Sequence, residues 1–471
     1  METKQKELLE KKIIQLSNVL KTTSKAENQG FWSFLWDGYQ VDEELLILLM
    51  DSFPPNNGPY PSPTTPGNLE FSWVLYFLNI TLPQTSFFGK QLQETLTNDF
   101  DMPPANPIVV ANWSAWEDTW GGEGVLLGDG SLVSTQVFAV LDPGWSLAVL
   151  DYIRLKIDLE SLAPFNTNPN AITINPDNKT SLKIAIMGDW GTGNYPDGSS
   201  NNSPSNKIMT AIGNLSPDIV VHLGDVYYAG SDNFLIFEGE EQINLIEAWN
   251  YNAPLGNFTL NSNHEMYGGA NGYFNVALKS DLFKNQTGPD VSGNPTSYFS
   301  ITYGNWVIVG LDTAYNATKE YMQGRITDAF QPAFLHQFKG KNVIILSHHN
   351  PIDTLGQVLN SLWTDVTGPK ALNGSPAMWY WGHIHNGIVY NNTAVSKTTL
   401  ARCLGNGAIP IGKAQWLEGQ STIDYFTQTP LGDTDPNNAL RVKNGFAILT
   451  IENGVVSESW YDQDGNNSWN N

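Results

Sequence analysis

Five short polar blocks of this chain gather residues that ligate metals: MGDWGTG (187–193), HLGDVYYAG (222–230), LNSNHE (260–265), ILSHHNP (345–351) and WGHIHN (381–386). All seven histidines lie between His222 and His385, and six of them fall inside or at the edge of four of these blocks. Imidazole, carboxylate, amide and phenol groups are nitrogen or oxygen donors to divalent and trivalent cations. Asp189, Asp225, Tyr228, Asn263, His348, His383 and His385 make seven donors. That set serves two metals of about three or four protein ligands each if one carboxylate, Asp225, is shared. A lone Gly-Asp pair after an apolar run is ordinarily a turn. Five such blocks in series call for a common cause, and a two-metal hydrolytic centre supplies one.

The elements that must position these residues are legible as apolar runs ending at the blocks. KIAIM leads into Gly188-Asp189, DIVVHL into Gly224-Asp225, and NVIILS into His348-His349. In α/β sheets, sites collect just beyond the carboxyl ends of strands. Strands are expected at 182–187, 218–223, 257–260, 298–312, 342–346 and 377–381, with helices at 205–214, 234–250 and 328–339. This alternation predicts an α/β domain with a largely buried sheet. The segment 446–462 reads as a hairpin turning at Glu452-Asn453-Gly454.

Upstream, apolar positions at Leu9, Ile13, Leu16 and Leu20 predict an amphipathic helix within 4–23, and a second helix is expected over 42–52. FPPNNGPYPSPTTP (53–66) is loop chemistry, and 145–157 suggests another helix. The polar, turn-rich stretch near 163–180 marks a boundary. The expected organisation is an N-terminal region (1–165) with no catalytic constellation, a linker (166–180), a catalytic domain (181–462) and a tail (463–471).

Composition narrows the function. A formal charge of -23, from 24 basic and 47 acidic residues, argues against a nucleic-acid backbone as partner, which needs a basic face. Cys403 is the single cysteine, so no intrachain disulfide can form. METKQKELLEKK carries no apolar signal core, and Leu45 to Met50 is too short to span a bilayer, so a cytoplasmic chain without a transmembrane segment is expected. Neither a GxSxG elbow nor a GxxxxGK[ST] loop is intact.

In motif order the chain resembles the calcineurin-like metallophosphoesterase superfamily over roughly 180–462, whose blocks run D-x-H, GDxxx, GNH(D/E), xxxH and GHxH. Gly191 stands where most of that family has a histidine ligand, and Tyr228 completes GDxxY. Those paired departures resemble the purple acid phosphatase branch. The resemblance implies an α/β fold with a β-sandwich flanked by helices (αββα). It implies one metal on Asp189, Asp225, Tyr228 and His385, and a second on Asp225, Asn263, His348 and His383. His264 would contact the phosphoryl group and protonate the leaving oxygen; in the fourth block either His348 or His349 could be the ligand, His348 being preferred, and His349 would then stand beside the ligands or face substrate. The implied cofactors are two metal ions, iron with iron, zinc or manganese. The implied reaction is hydrolysis of a small phosphoester by metal-bound hydroxide, phosphomonoesterase-like. A phosphodiesterase for cyclic nucleotides or phospholipid headgroups, and an inactive metal- or phosphate-binding protein, are the alternatives. His222 and His336 read as structural, and a tyrosine beside another at a strand end can simply pack.

Overall fold

A computed structural model of the chain describes residues 161–194, 203–232, 239–287, 295–318, 321–432 and 441–470, with scattered positions between 125 and 155. The helices expected at 4–23 and 42–52 and the loop at 53–66 lie outside the described residues. So does the helix expected at 145–157, apart from single positions.

Strand formation follows the apolar runs. β1 (Val125–Leu126) and β2 (Leu132–Val133) make a small antiparallel ribbon. Next in chain order come β3 (Asn170–Ile174), β4 (Ser181–Met187), β5 (Ile219–His222), β6 (Asn257–Thr259), β7 (Phe299–Tyr303), β8 (Trp306–Leu311) and β9 (Asn342–Ser347). β10 (Met378–Trp381), β11 (Gly387–Tyr390), β12 (Leu400–Leu404), β13 (Ile423–Phe426), β14 (Gly445–Glu452), β15 (Val455–Asp462) and β16 (Asn467–Asn470) complete the series. They assemble into two mixed sheets, β16-β15-β14-β4-β5-β6 and β13-β11-β12-β10-β9-β8-β7-β3. Central strands such as β5 and β10 are buried at every position, as expected where both faces of a sheet are covered.

Between the sheets lies a shared core. Ile184, Ile186, Val221 and Leu449 from one sheet pack with Ile301, Ile308, Ile344 and Leu346 from the other. The outer face of the first sheet is covered by α1 (Pro204–Leu215), whose Ile208, Met209 and Ile212 meet Met187 and Val220. Ser203 caps α1 by accepting from the Asn206 N–H, and Pro204 supplies the preset φ of a first turn. A five-residue helix, α2 (Asn263–Tyr267), follows β6. α3 (Phe330–His336) and α4 (Ser361–Thr367) cover the second sheet, with Phe334, Leu335, Leu362 and Val366 against Val309, Ile345 and Trp379. The result is a mixed α/β fold, two sheets face to face with helices outside.

Four stretches differ from the sequence expectation. The run 298–312 is a hairpin, β7 and β8, turning at Gly304 with φ +58. Of the helix expected at 234–250, the described part is the π-helical turn Glu241–Ile246, the segment 233–238 being undescribed. The expected linker contains β3, which pairs in parallel with β7 and half-buries its residues in alternation. The expected tail contains β16, antiparallel to β15. Asp462 Oδ1 accepts from the N–H groups of Asp464 and Asn466, an Asx-type turn that leads into this strand. No helix among the described residues is long and apolar enough to cross a membrane.

Candidate metal centre

The carboxyl ends of five strands, three from one sheet and two from the other, deliver the polar blocks to one place. β4, β5 and β6 are parallel neighbours and lead to Asp189, Asp225 and Asn263; β9 and β10 are parallel neighbours and lead to His348 and to His383 with His385. Asp189, Asp225 and His383 adopt φ of +55, +75 and +64, a left-handed conformation uncommon outside glycine. Such backbone persists where surrounding structure enforces it, and functional sites are where it concentrates.

Two groups of donor atoms result. In the first, Asn263 Oδ1 lies 2.8 Å from His348 Nε2 and 3.1 Å from His383 Nδ1, and the two ring nitrogens are 3.2 Å apart. His348 Nδ1 donates to the Leu223 carbonyl at 3.0 Å, so its Nε2 presents a lone pair. Burial pushes the His348 imidazole down to about 3 and His383 well below its usual value, so neither ring carries a second proton at neutral pH. Two ring nitrogens and an amide oxygen thus converge, a donor set that suits a cation. In the second group, Asp189 Oδ1 is buried 3.4 Å from His385 Nε2. Asp189 Oδ2 accepts from the His383 backbone N–H at 2.9 Å, which orients the carboxylate.

Asp225 stands between the groups. Its Oδ1 is 3.2 Å from His348 Nε2, while its Oδ2 is 4.0 Å from His385 Nε2 and accepts from the Tyr227 hydroxyl at 3.2 Å. One carboxylate thus offers an oxygen to each side. Burial raises its pKa, but His264, His348 and His383 outweigh that and hold the carboxyl well below the usual carboxylate range.

His264 begins the short helix α2. Ser262 caps it, accepting from the His264 N–H at 3.0 Å and donating to Glu265, a capping box written in Ser262-Asn-His-Glu265. His264 Nδ1 donates to the Tyr228 carbonyl at 2.7 Å, leaving Nε2 3.7 Å from Asp225 Oδ2. His348, His349 and His383 bring ring nitrogens within 4.8 Å of one another. Yet both nitrogens of His349 are committed: Nδ1 accepts from the Thr313 hydroxyl at 2.9 Å and Nε2 donates to the Tyr321 carbonyl at 2.7 Å. His349 supports its neighbours rather than offering a lone pair.

The tyrosines hold a finding that sequence reasoning missed. The hydroxyl among the donor atoms is that of Tyr227, fully buried and 2.8 Å from His385 Nε2, with its ring 4.3 Å from that of His264. Tyr228 contributes its backbone, and its ring lies 4.8 Å from Phe138. The doubled tyrosine was the signal available. Also unforeseen is Glu240, buried beside this segment; burial pushes its carboxyl up to about 7 against the pull of three backbone N–H groups.

His222 pairs with the Thr259 hydroxyl at 3.0 Å inside the sheet, and His336 with the Ala371 carbonyl at 2.9 Å, away from the donor groups. Gly191 explains its own identity: a Cβ there would meet Asp225 O at 2.6 Å and Val226 Cα at 2.7 Å. No side chain fits, histidine included.

Residues 182–387 match the calcineurin-like phosphoesterase family, which spans every block that the geometry brings together. The chain thus carries a calcineurin-like phosphoesterase domain over these residues. Among curated proteins none matches. Solved structures with partial similarity include GAP50, the anchor in the inner membrane complex of Plasmodium, at 12% identity and TM-score 0.40, covering 62% of this chain and 88% of that one. A conserved predicted phosphoesterase from Streptococcus pneumoniae has 12% identity and TM-score 0.23, covering 61% and 93%.

Proposed function

We propose that the chain hydrolyses phosphomonoesters through a dinuclear metal centre of purple acid phosphatase type. The observation that carries this reading is the placement of Asp225, one oxygen toward His348 of the first donor group and the other toward His385 and the Tyr227 phenol of the second. On this reading one metal is held by Asp189, Asp225, His385 and a tyrosine, and the other by Asp225, Asn263, His348 and His383. Motif spacing names Tyr228 as the phenol, and geometry favours Tyr227. Nitrogen, carboxylate and phenolate donors suit iron paired with iron, zinc or manganese.

When bound, the two metals supply Lewis acidity toward water and the phosphoryl oxygens. The protein does the rest. Asp189 is oriented by the His383 N–H, and His348 by the Leu223 carbonyl, so the donors are set before any ion arrives. His264 would deliver a proton from Nε2 toward the leaving oxygen; burial lowers its pKa, and Asp225 and the Tyr228 carbonyl at Nδ1 work against that to favour the protonated ring. The buried Tyr227 ring packs against His264 and His385 and shields them from bulk water.

Turnover of p-nitrophenyl phosphate set against bis-p-nitrophenyl phosphate tests the ester preference. The monoester is expected to be hydrolysed faster by about tenfold or more, a difference in barrier of about 1.4 kcal/mol. A diester preference would replace the monoesterase reading with a phosphodiesterase.

A further inference from the structure

The general acid is held by a carbonyl, and that carbonyl belongs to a segment with its own clamp. Glu240 is buried and places both carboxylate oxygens on the backbone of 228–231. Oε1 accepts from the Tyr228 N–H at 2.5 Å, and Oε2 accepts from the N–H groups of Ala229 at 2.8 Å and Ser231 at 3.2 Å. The same stretch of chain adds the Asn244 side chain, which donates to the Tyr227 carbonyl at 2.5 Å, and the Glu241 N–H, which donates to the Ser231 carbonyl at 3.3 Å. Tyr228 is therefore fixed at its N–H by Glu240, and its own carbonyl fixes His264 Nδ1 at 2.7 Å. A side chain serving three backbone donors at once is a rigid support, because the bonds reinforce one another and are shielded from water.

We propose that Glu240 is a positioning residue for the acid step: through the Tyr228 backbone it holds His264 so that Nε2 faces the site. This rests on the hydrolytic reading above. Glu240 touches none of the donor atoms itself, and the path from it to the site that the hydrogen bonds show runs through the Tyr228 backbone to His264. Proton delivery matters for a poor leaving group and little for a good one, which departs unprotonated.

The test is Glu240→Gln, which keeps the shape but leaves one acceptor oxygen and turns an amide NH₂ toward the remaining N–H groups. With 2-glycerophosphate, an alkyl ester, kcat is expected to fall about tenfold to a hundredfold. With p-nitrophenyl phosphate it stays within about threefold, and metal content is unchanged. His264→Ala should lose at least as much with 2-glycerophosphate, and with that ester the double variant should be no worse than His264→Ala alone, since both act in one step. Equal losses on both esters, or additive losses in the double variant, would overturn the proposal. Glu240→Asp, which keeps the charge and shortens the reach, provides a second variant should the glutamine fold poorly; the same pattern is expected, and its absence counts against the clamp.

A readout without turnover separates this idea from the reading it rests on. In metal-free protein the His264 Nδ1 proton should give a downfield, slowly exchanging NMR resonance that is lost in Glu240→Gln. Persistence of that resonance would refute the clamp even if the esterase reading held. If wild-type protein hydrolysed neither ester while the resonance behaved as expected, the esterase reading would fail and the positioning of His264 would stand.

Discussion

At the residue scale, Asp225 carries the most weight, because it alone faces both donor groups. Asp225→Ala is expected to leave less than one metal per chain and to lower kcat by about a thousandfold or more, about 4 kcal/mol of barrier. Metal analysis and initial rates check it together. The two tyrosines divide a spectroscopic role. If the Tyr227 hydroxyl, 2.8 Å from His385, is the phenolate, Tyr227→Phe abolishes a visible charge-transfer band in the iron-loaded protein and Tyr228→Phe preserves it; the opposite result returns the role to Tyr228. Acid sensitivity also belongs here. Burial holds His222 and His348 at about 3, and His349 and His385 at about 4, against about 6.5 in an unfolded chain. A depressed folded pKa means that the unfolded chain takes up protons which the folded site refuses. Stability is thus full above about pH 6.5 and is lost as pH falls toward the folded values, at about 1.4 kcal/mol per pH unit for each such ring. Metal-free protein should show a flat urea midpoint from pH 7 to 8.5 and a steep decline between 6.5 and 4. A midpoint flat through pH 5 would contradict this assignment of neutral, buried imidazoles.

At the element scale, the loop after β4 works because Gly191 lets the backbone of Asp225 and Val226 approach. Gly191→Ala forces a Cβ against backbone atoms at 2.6 and 2.7 Å that have little freedom to move. A loss of about 1–3 kcal/mol is expected, read as a lower urea midpoint with unchanged m-value. Most of what positions the site was legible in the sequence, since continuous runs such as KIAIM and NVIILS have few uses other than buried strands, and their carboxyl ends coincide with the blocks. Legibility failed where one pattern serves two structures. Asn170–Ile174 sits among turn residues, and only pairing with β7 makes it a strand. The stretch around Glu241–Ile246 has helical spacing but forms a wide π turn, whose neighbouring Glu240 serves the 228–231 backbone instead of solvent. Which of two adjacent tyrosines points inward depends on backbone path, and spacing alone does not encode that.

At the scale of the whole molecule, the site exists only while the two sheets keep their registration. A buried ion pair links them: Arg402 on β12 reaches Glu458 on β15, with Nε at 3.0 Å from both oxygens and Nη2 at 2.8 Å from Oε2. Tyr380 on β10 donates to the same carboxylate, and Trp469 on β16 lies 5.4 Å from the guanidinium, so the C-terminal strand helps to seal the pair. Arg402→Met strands a buried carboxylate and should cost about 3–5 kcal/mol, whereas Arg402→Met with Glu458→Leu should recover most of it. Thermal or urea unfolding of the two variants decides, and equal losses in both would deny the pair this linking role. The acidic surplus of the chain fits a protein whose site gathers cations, and metal binding should raise its stability, because the ions bind the folded state alone.

The most direct test of the central claim is metal stoichiometry measured alongside phosphomonoester turnover on one purified sample. Two metal ions per chain are predicted, with hydrolysis of p-nitrophenyl phosphate lost on chelation and restored when the metals are returned. Full hydrolysis by protein stripped of metal, or two tightly bound ions with no hydrolysis of any phosphoester, would contradict it.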